Sequence, residues 1–369
     1  MSLEIIFQYT VFVLVGIVLV LFSRRLRLPG ELLLIGFGLF LGYLKEMTGA
    51  FQISAVYIKP IVVIALVAFV FSSFLKINPS SFDHLSKLAQ RHLIALVCLS
   101  VCVLGFSYWY LSGDLKGALL FPFVMLPVYF RPFFQREKYH RKKVLALLQK
   151  EQKLIAPIAL LLPFILVNAF YDVGQGIFKV FASPVLGLCV GLLLGVVFIR
   201  IHHLKSITYP LVFGFSLIAY VLAVFMNGSG VVAAGSFALF YAGFHVRERK
   251  EVMRFSEQIA DTLGVIVLIV LGYIIYPLSF YVLGISFGFF LLILLMRFAS
   301  VVFSELYWKE KLYIALDCRK QALTGTVLLA IVTLFHDFFI LVQVAAIIVI
   351  YSACTGFLVK QFMYRGDDI

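Results

Sequence analysis

Between short basic turns the chain repeats one feature, a long apolar run without alternation, as in KPIVVIALVAFVFSSFL at 59–75. Runs of roughly 16–22 apolar residues are long enough to cross the hydrocarbon core of a bilayer as helices. Lipid offers the backbone no water, so a crossing segment closes its hydrogen bonds internally, in a helix or a closed barrel. A barrel strand would alternate with period two, and these runs do not. Of the 369 residues, 63% are hydrophobic and only 13% charged, which excludes a soluble domain of this length. The expectation is an all-α polytopic membrane protein.

Hydropathy places thirteen spans, at about 5–22, 31–45, 55–75, 93–112, 115–130, 152–171, 182–200, 208–226, 229–245, 260–282, 283–303, 320–337 and 339–359. Charge tests that count. Basic residues gather at 24–27, 76–91, 131–153, 200–205, 247–254, 309–320 and 360–365, which together hold 26 of the 31 Lys and Arg. Each segment is every second connection, or the tail. The positive-inside rule then puts the N-terminus outside and the C-terminus in the cytoplasm, with an odd number of spans; a plasma (inner) membrane is the expected location. The first run begins at Ile5 with no basic leader and reads as a retained span, not a cleaved signal.

The formal charge of +13 is explained by topology and needs no nucleic acid. Loop 131–153, with eight basic residues, is the natural surface for anionic lipid or a protein partner. Cys98 and Cys102 share a helix face, yet two thiols without further ligands make a poor metal site, and they read as ordinary packing residues. His202 and His203 point to different faces and lack a third ligand. Asp172, Asp261, His336 and Asp337 read as solvated residues near span ends. No phosphate-binding loop, zinc-protease pattern or nucleophile elbow is present, so neither an enzyme nor a cofactor or metal is expected.

Thirteen spans permit two inverted halves of six around one linking helix, a common plan of secondary transporters, with broken helices where the repeats meet. Span 5 carries Pro122, Pro127 and, at its end, Pro132, and each proline removes a helical donor. Its counterpart, span 12, carries Gly325 in ALTGTV. Both are expected to be broken.

Four stretches carry a resemblance: RRLRLPGELLLIGFGLFLGYL (24–44), NGSGVVAAGSFALFYAGF (227–244), VRERKEVMRFSEQIADTLG (246–264) and MRFASVV (296–302). In these the chain resembles the sodium/proton exchanger branch of the monovalent cation:proton antiporters. The resemblance implies an inverted-repeat antiporter fold and a homodimer. Its dimerising part would be spans 1–3 (1–92) and 7–10 (182–282). Its core part would be spans 4–6 (93–181) and 11–13 with a short cytoplasmic tail (283–369). Exchange in that family depends on a mid-membrane carboxylate that holds either a proton or a monovalent cation.

Matched without gaps, LLQKEQKLIAP sets Lys150, Glu151 and Gln152 on the family's Gly-Glu-Ser, and Ile155 and Ala156 on its Asn-Asp pair. Pro127 or a neighbour falls where span 5 would carry a second acid, and Thr324 replaces the arginine of a Leu-Arg-Gly motif. Glu151 is kept, and the resemblance pairs it with Arg297 as a structural brace. A lone arginine inside a span costs several kcal/mol, so a partner is expected on physical grounds too. The brace survives while the ion-site acids are gone. Two readings follow: a transport protein with an altered ion site, moving a monovalent ion or small solute past Ser229, Ser236 and Asn168, or a non-transporting sensor or docking module.

Overall fold

A computed structural model of the chain describes residues 14–23, 25, 28–49, 55–77, 93–126, 156–170, 177–202, 209–243, 249–302 and 321–365. These residues are helical, with no strand among them. Every expected span has its helix: α1 Leu14–Ser23, α2 Gly30–Thr48, α3 Ala55–Leu75, α4 Leu93–Ser112, α5 Leu115–Met125, α6 Ala156–Phe170, α7 Ile177–His202. They continue as α8 Tyr209–Phe225, α9 Gly230–Gly243, α10 Arg249–Ile275, α11 Phe280–Val302, α12 Gln321–Leu334 and α13 Phe339–Arg365. Six of these are long and apolar enough to cross a membrane, lying within α3, α4, α7, α10, α11 and α13, and six more are shorter and apolar.

The helices gather into two compact units. One comprises 1–62, 91–149 and 262–369, and the other 63–90 and 150–261. In the first unit α2 and the C-terminal part of α10 cross at paired glycines. A methyl on Gly38 would overlap the Ile269 carbonyl, and one on Gly272 would overlap the Ile35 carbonyl. Backbones can approach this closely only where side chains are absent, which is how helices gain contact in lipid, where association has no hydrophobic drive.

The α4–α5 hairpin turns at Gly113, whose φ of 67° suits glycine and whose N–H bonds the Trp109 carbonyl at 2.8 Å. Asp114 then caps α5, its carboxylate accepting the Lys116 and Gly117 N–H groups, each at 3.0 Å. Ring contacts of Phe121 with Tyr108 (5.0 Å between centroids) and with Phe289 (4.8 Å) tie α4, α5 and α11 together.

One local feature goes beyond the sequence reading, and two bear on the breaks expected in spans 5 and 12, which the described residues do not show. Ser100–Gly105 inside α4 is π-helical, and the Phe106 N–H that follows is shared between the Cys102 and Val103 carbonyls. Pro122 lies within α5, which is helical to Met125, while Pro127 and the rest of 127–155 fall outside the described residues. α12 is continuous through Gly325, whose missing side chain admits Leu268 and Leu271, and 303–320 lie outside the described residues.

In the second unit α7 packs on α9 through Gly187, Gly191 and Gly195, one on each successive turn. Methyl groups there would overlap the Ser229 carbonyl, the Ser236 hydroxyl with the Ala233 carbonyl, and the Phe240 ring. Phe198 adds edge contacts to Phe215, Phe237 and Tyr241 at 5.1, 5.9 and 5.8 Å. Lys76 and Glu257, both half-exposed, close an ion pair of 2.5 Å between the ends of α3 and α10.

Candidate functional site

Ala156 opens α6 and is buried, so the position matched to the family's acid carries a methyl group in a packed environment. Thr324 on α12 is fully buried, and Arg297 on α11 is 2% exposed. Glu151, Ile155, Pro127 and the basic loop 131–153 lie outside the described residues, and with them the expected brace. Among the described residues no group of three or more His, Cys, Asp or Glu gathers into a metal site.

Ser229 and Ser236 are brought against one partner, α7. The Ser229 N–H donates to the Ser183 carbonyl at 2.9 Å, which sets the α8–α9 turn on α7. That turn needs Asn227 at φ 58°, where asparagine is one of the few residues tolerated besides glycine. Ser236 donates to the Ala233 carbonyl of its own helix at 3.0 Å. The Ser229 hydroxyl is buried with no hydrogen-bond partner among the described residues, as is that of Ser216 on α8. Asn168 is half-buried on α6. Each buried hydroxyl left open is a place where a water or a solute oxygen would be welcome.

The charge inventory is one-sided. Buried polar side chains among the described residues are serines, threonines, Gln343 and Arg297, with no Asp or Glu. Asp114, Glu251, Asp261 and Asp337 are exposed, and Glu257 is half-exposed in its ion pair. Hydroxyl and amide oxygens can coordinate a cation, but they do not take up a proton near neutral pH as a carboxylate can.

Three features escaped the sequence reading though each left a mark. Asp114 immediately precedes the apolar run of span 5 in a cap position. Gly187, Gly191 and Gly195 stand at i, i+4 and i+8, the spacing of a close helix crossing. Gln343 is a lone amide in an otherwise apolar stretch, FFILVQVAAIIVI.

Comparison with known proteins agrees with this architecture. The family model for the transmembrane part of the sodium/hydrogen exchangers matches residues 10–363. Two structures of the sodium proton antiporter MjNhaP1 from Methanocaldococcus jannaschii share the fold. One, determined at pH 8, has a TM-score of 0.70 and 19% identity over 97% of this chain and 95% of that one. The other, from an electron-microscopy map, has a TM-score of 0.63 and 16% identity over 99% and 97%. No curated protein matches the chain. With this helical fold among the described residues and the family model covering nearly the whole length, the chain belongs to the sodium/hydrogen exchanger family.

Proposed function

We propose that this family member is an integral membrane transport protein whose ion site no longer supports proton-coupled exchange of the family type. The observation that carries the reading is the absence of any buried Asp or Glu among the described residues. Family-type exchange needs a buried acid that releases a proton when a cation arrives, and the described residues offer none. The solute is then a monovalent ion or a small polar molecule, passed by hydroxyl and amide groups such as Ser229, Ser236 and Asn168. Pro127, Ile155, Ala156 and Thr324 mark where the family's ion site has changed. Glu151 and Arg297 brace the core, the chain works as a homodimer, and the basic connections face the cytoplasm.

A second reading, a non-transporting sensor or docking module, is favoured by the packing of α5. Leu120, Phe121, Val124 and Met125 on that helix are fully buried and apolar, so this part of the core resembles a plug more than a path. Loop 131–153 would be the docking surface.

Purified protein in liposomes, with an imposed pH gradient and a trapped pH dye, tests the proposal. Addition of sodium, potassium or lithium is expected to leave the gradient standing. Collapse that depends on the cation would overturn it and return the carboxylate to Glu151 or Asp261. Uptake of a labelled solute in the same vesicles separates the altered transporter from the docking module.

A further inference from the structure

Gln343 is buried in α13 at a place where a leucine would pack at lower cost, since an amide in an apolar span is unfavourable unless its hydrogen bonds are made. Its partners are backbone carbonyls on another element. The side-chain amide donates one hydrogen to the Ile275 carbonyl at 3.0 Å and the other to the Pro277 carbonyl at 3.3 Å. α10 stops at Ile275, so these carbonyls have lost their helical donors.

The connection from α10 to α11 is only Tyr276–Ser279, and Ser279 caps α11 by accepting the Val282 N–H on its hydroxyl at 3.2 Å. Two turns further along α13, the Tyr351 hydroxyl donates to the Leu283 carbonyl at 3.3 Å. Its ring is held by Phe287 and Phe290, with centroids 5.6 and 5.9 Å away. α13 therefore grips the backbone on both sides of one hairpin, near its turn and one turn into α11.

We propose that Gln343 is a latch. It fixes the register of α13 on the α10–α11 hairpin, and the hairpin turn opens only when both amide hydrogen bonds break. A one-residue screw step of α13, about 1.5 Å of rise with a turn of about 100°, would carry the amide away from its carbonyls. The latch thus has closed and open states with little between them. It concerns residues of a single compact unit, 275–290 and 343–351, and stands whether or not the chain carries an ion.

Hydrogen exchange on the full-length protein in nanodiscs tests it. Gln343→Met keeps the volume and removes the donor. In that variant the amides of 276–284 are expected to exchange roughly three- to tenfold faster, the scale of one or two such bonds, while those of 230–243 keep their wild-type rates. Gln343→Leu, close in volume and likewise without a donor, is expected to match Gln343→Met. Unchanged exchange at 276–284 in Gln343→Met overturns the latch. So does acceleration spread equally over 230–243, or wild-type exchange at 276–284 in Gln343→Leu.

Discussion

At Gly191 a hydrogen atom stands where any other residue would drive carbon into the Ala233 carbonyl and the Ser236 hydroxyl. The Ser236 side chain can rotate away, but the Ala233 carbonyl is backbone in the middle of α9 and cannot. Gly191→Ala is therefore expected to push α7 off α9 and to cost about 1–3 kcal/mol, the usual scale of overpacking. Gly284 on α11 supplies the control, because a methyl there meets nothing within 4 Å. Gly284→Ala should be neutral or stabilising by roughly 0.5–1 kcal/mol through the higher helix propensity of alanine. The thermal unfolding midpoint of the purified protein reads both. A midpoint for Gly191→Ala equal to that of wild type would mean that the α7–α9 crossing relaxes freely.

For the elements, the start of α5 offers a clean case. Asp114 accepts from two N–H groups of the first turn, and no other side chain among the described residues does so. Asp114→Ala should cost about 1 kcal/mol, whereas Asp114→Asn, which keeps an acceptor oxygen, should lose much less. If the two variants unfold at the same temperature, the cap contributes nothing measurable. The contrast between α5 and its neighbours also shows what a sequence reveals. The spans were legible because lipid punishes every unsatisfied backbone group, so each helix must be written as one apolar run. Span ends agree with the observed helices to within a few residues for α2, α3 and α4, where charge or Gly-Asp marks the turn. The π-helical turn at Ser100–Gly105 was not legible. It changes the backbone bonding inside a run that remains apolar throughout, so hydropathy does not register it. Cys98 precedes this turn and Cys102 lies within it, and both are exposed on α4 rather than packed inside.

On the proposed function, the whole molecule joins a scaffold that the sequence declares openly to a site defined by replacements. Ala156 and Thr324 became informative only beside the motif they interrupt, because alone they are unremarkable buried residues. That reading makes a prediction on reversal. The double substitution Ile155→Asn with Ala156→Asp returns the missing pair to the start of α6. A carboxyl at a position 7% exposed pays for ionisation with lost hydration, so it will favour its neutral form and its affinity for protons will rise. A cation that displaces the proton recovers that cost by direct coordination, which is the competition an exchanger requires. In the same liposomes, the double variant is expected to discharge the pH gradient when sodium or another monovalent cation is added, while wild type does not. Ala156→Asn, polar but unable to titrate, should stay inactive and shows that the proton, not polarity, is responsible. All three proteins are first checked for monodispersity and for a thermal midpoint near that of wild type, so that inactivity is not mistaken for misfolding. Gain of exchange would mean that the scaffold still permits an ion to pass and that only the titrating group was lost. Failure in well-folded protein would mean that more than one residue closes the path, as the apolar packing of α5 suggests, and the docking reading would then take precedence.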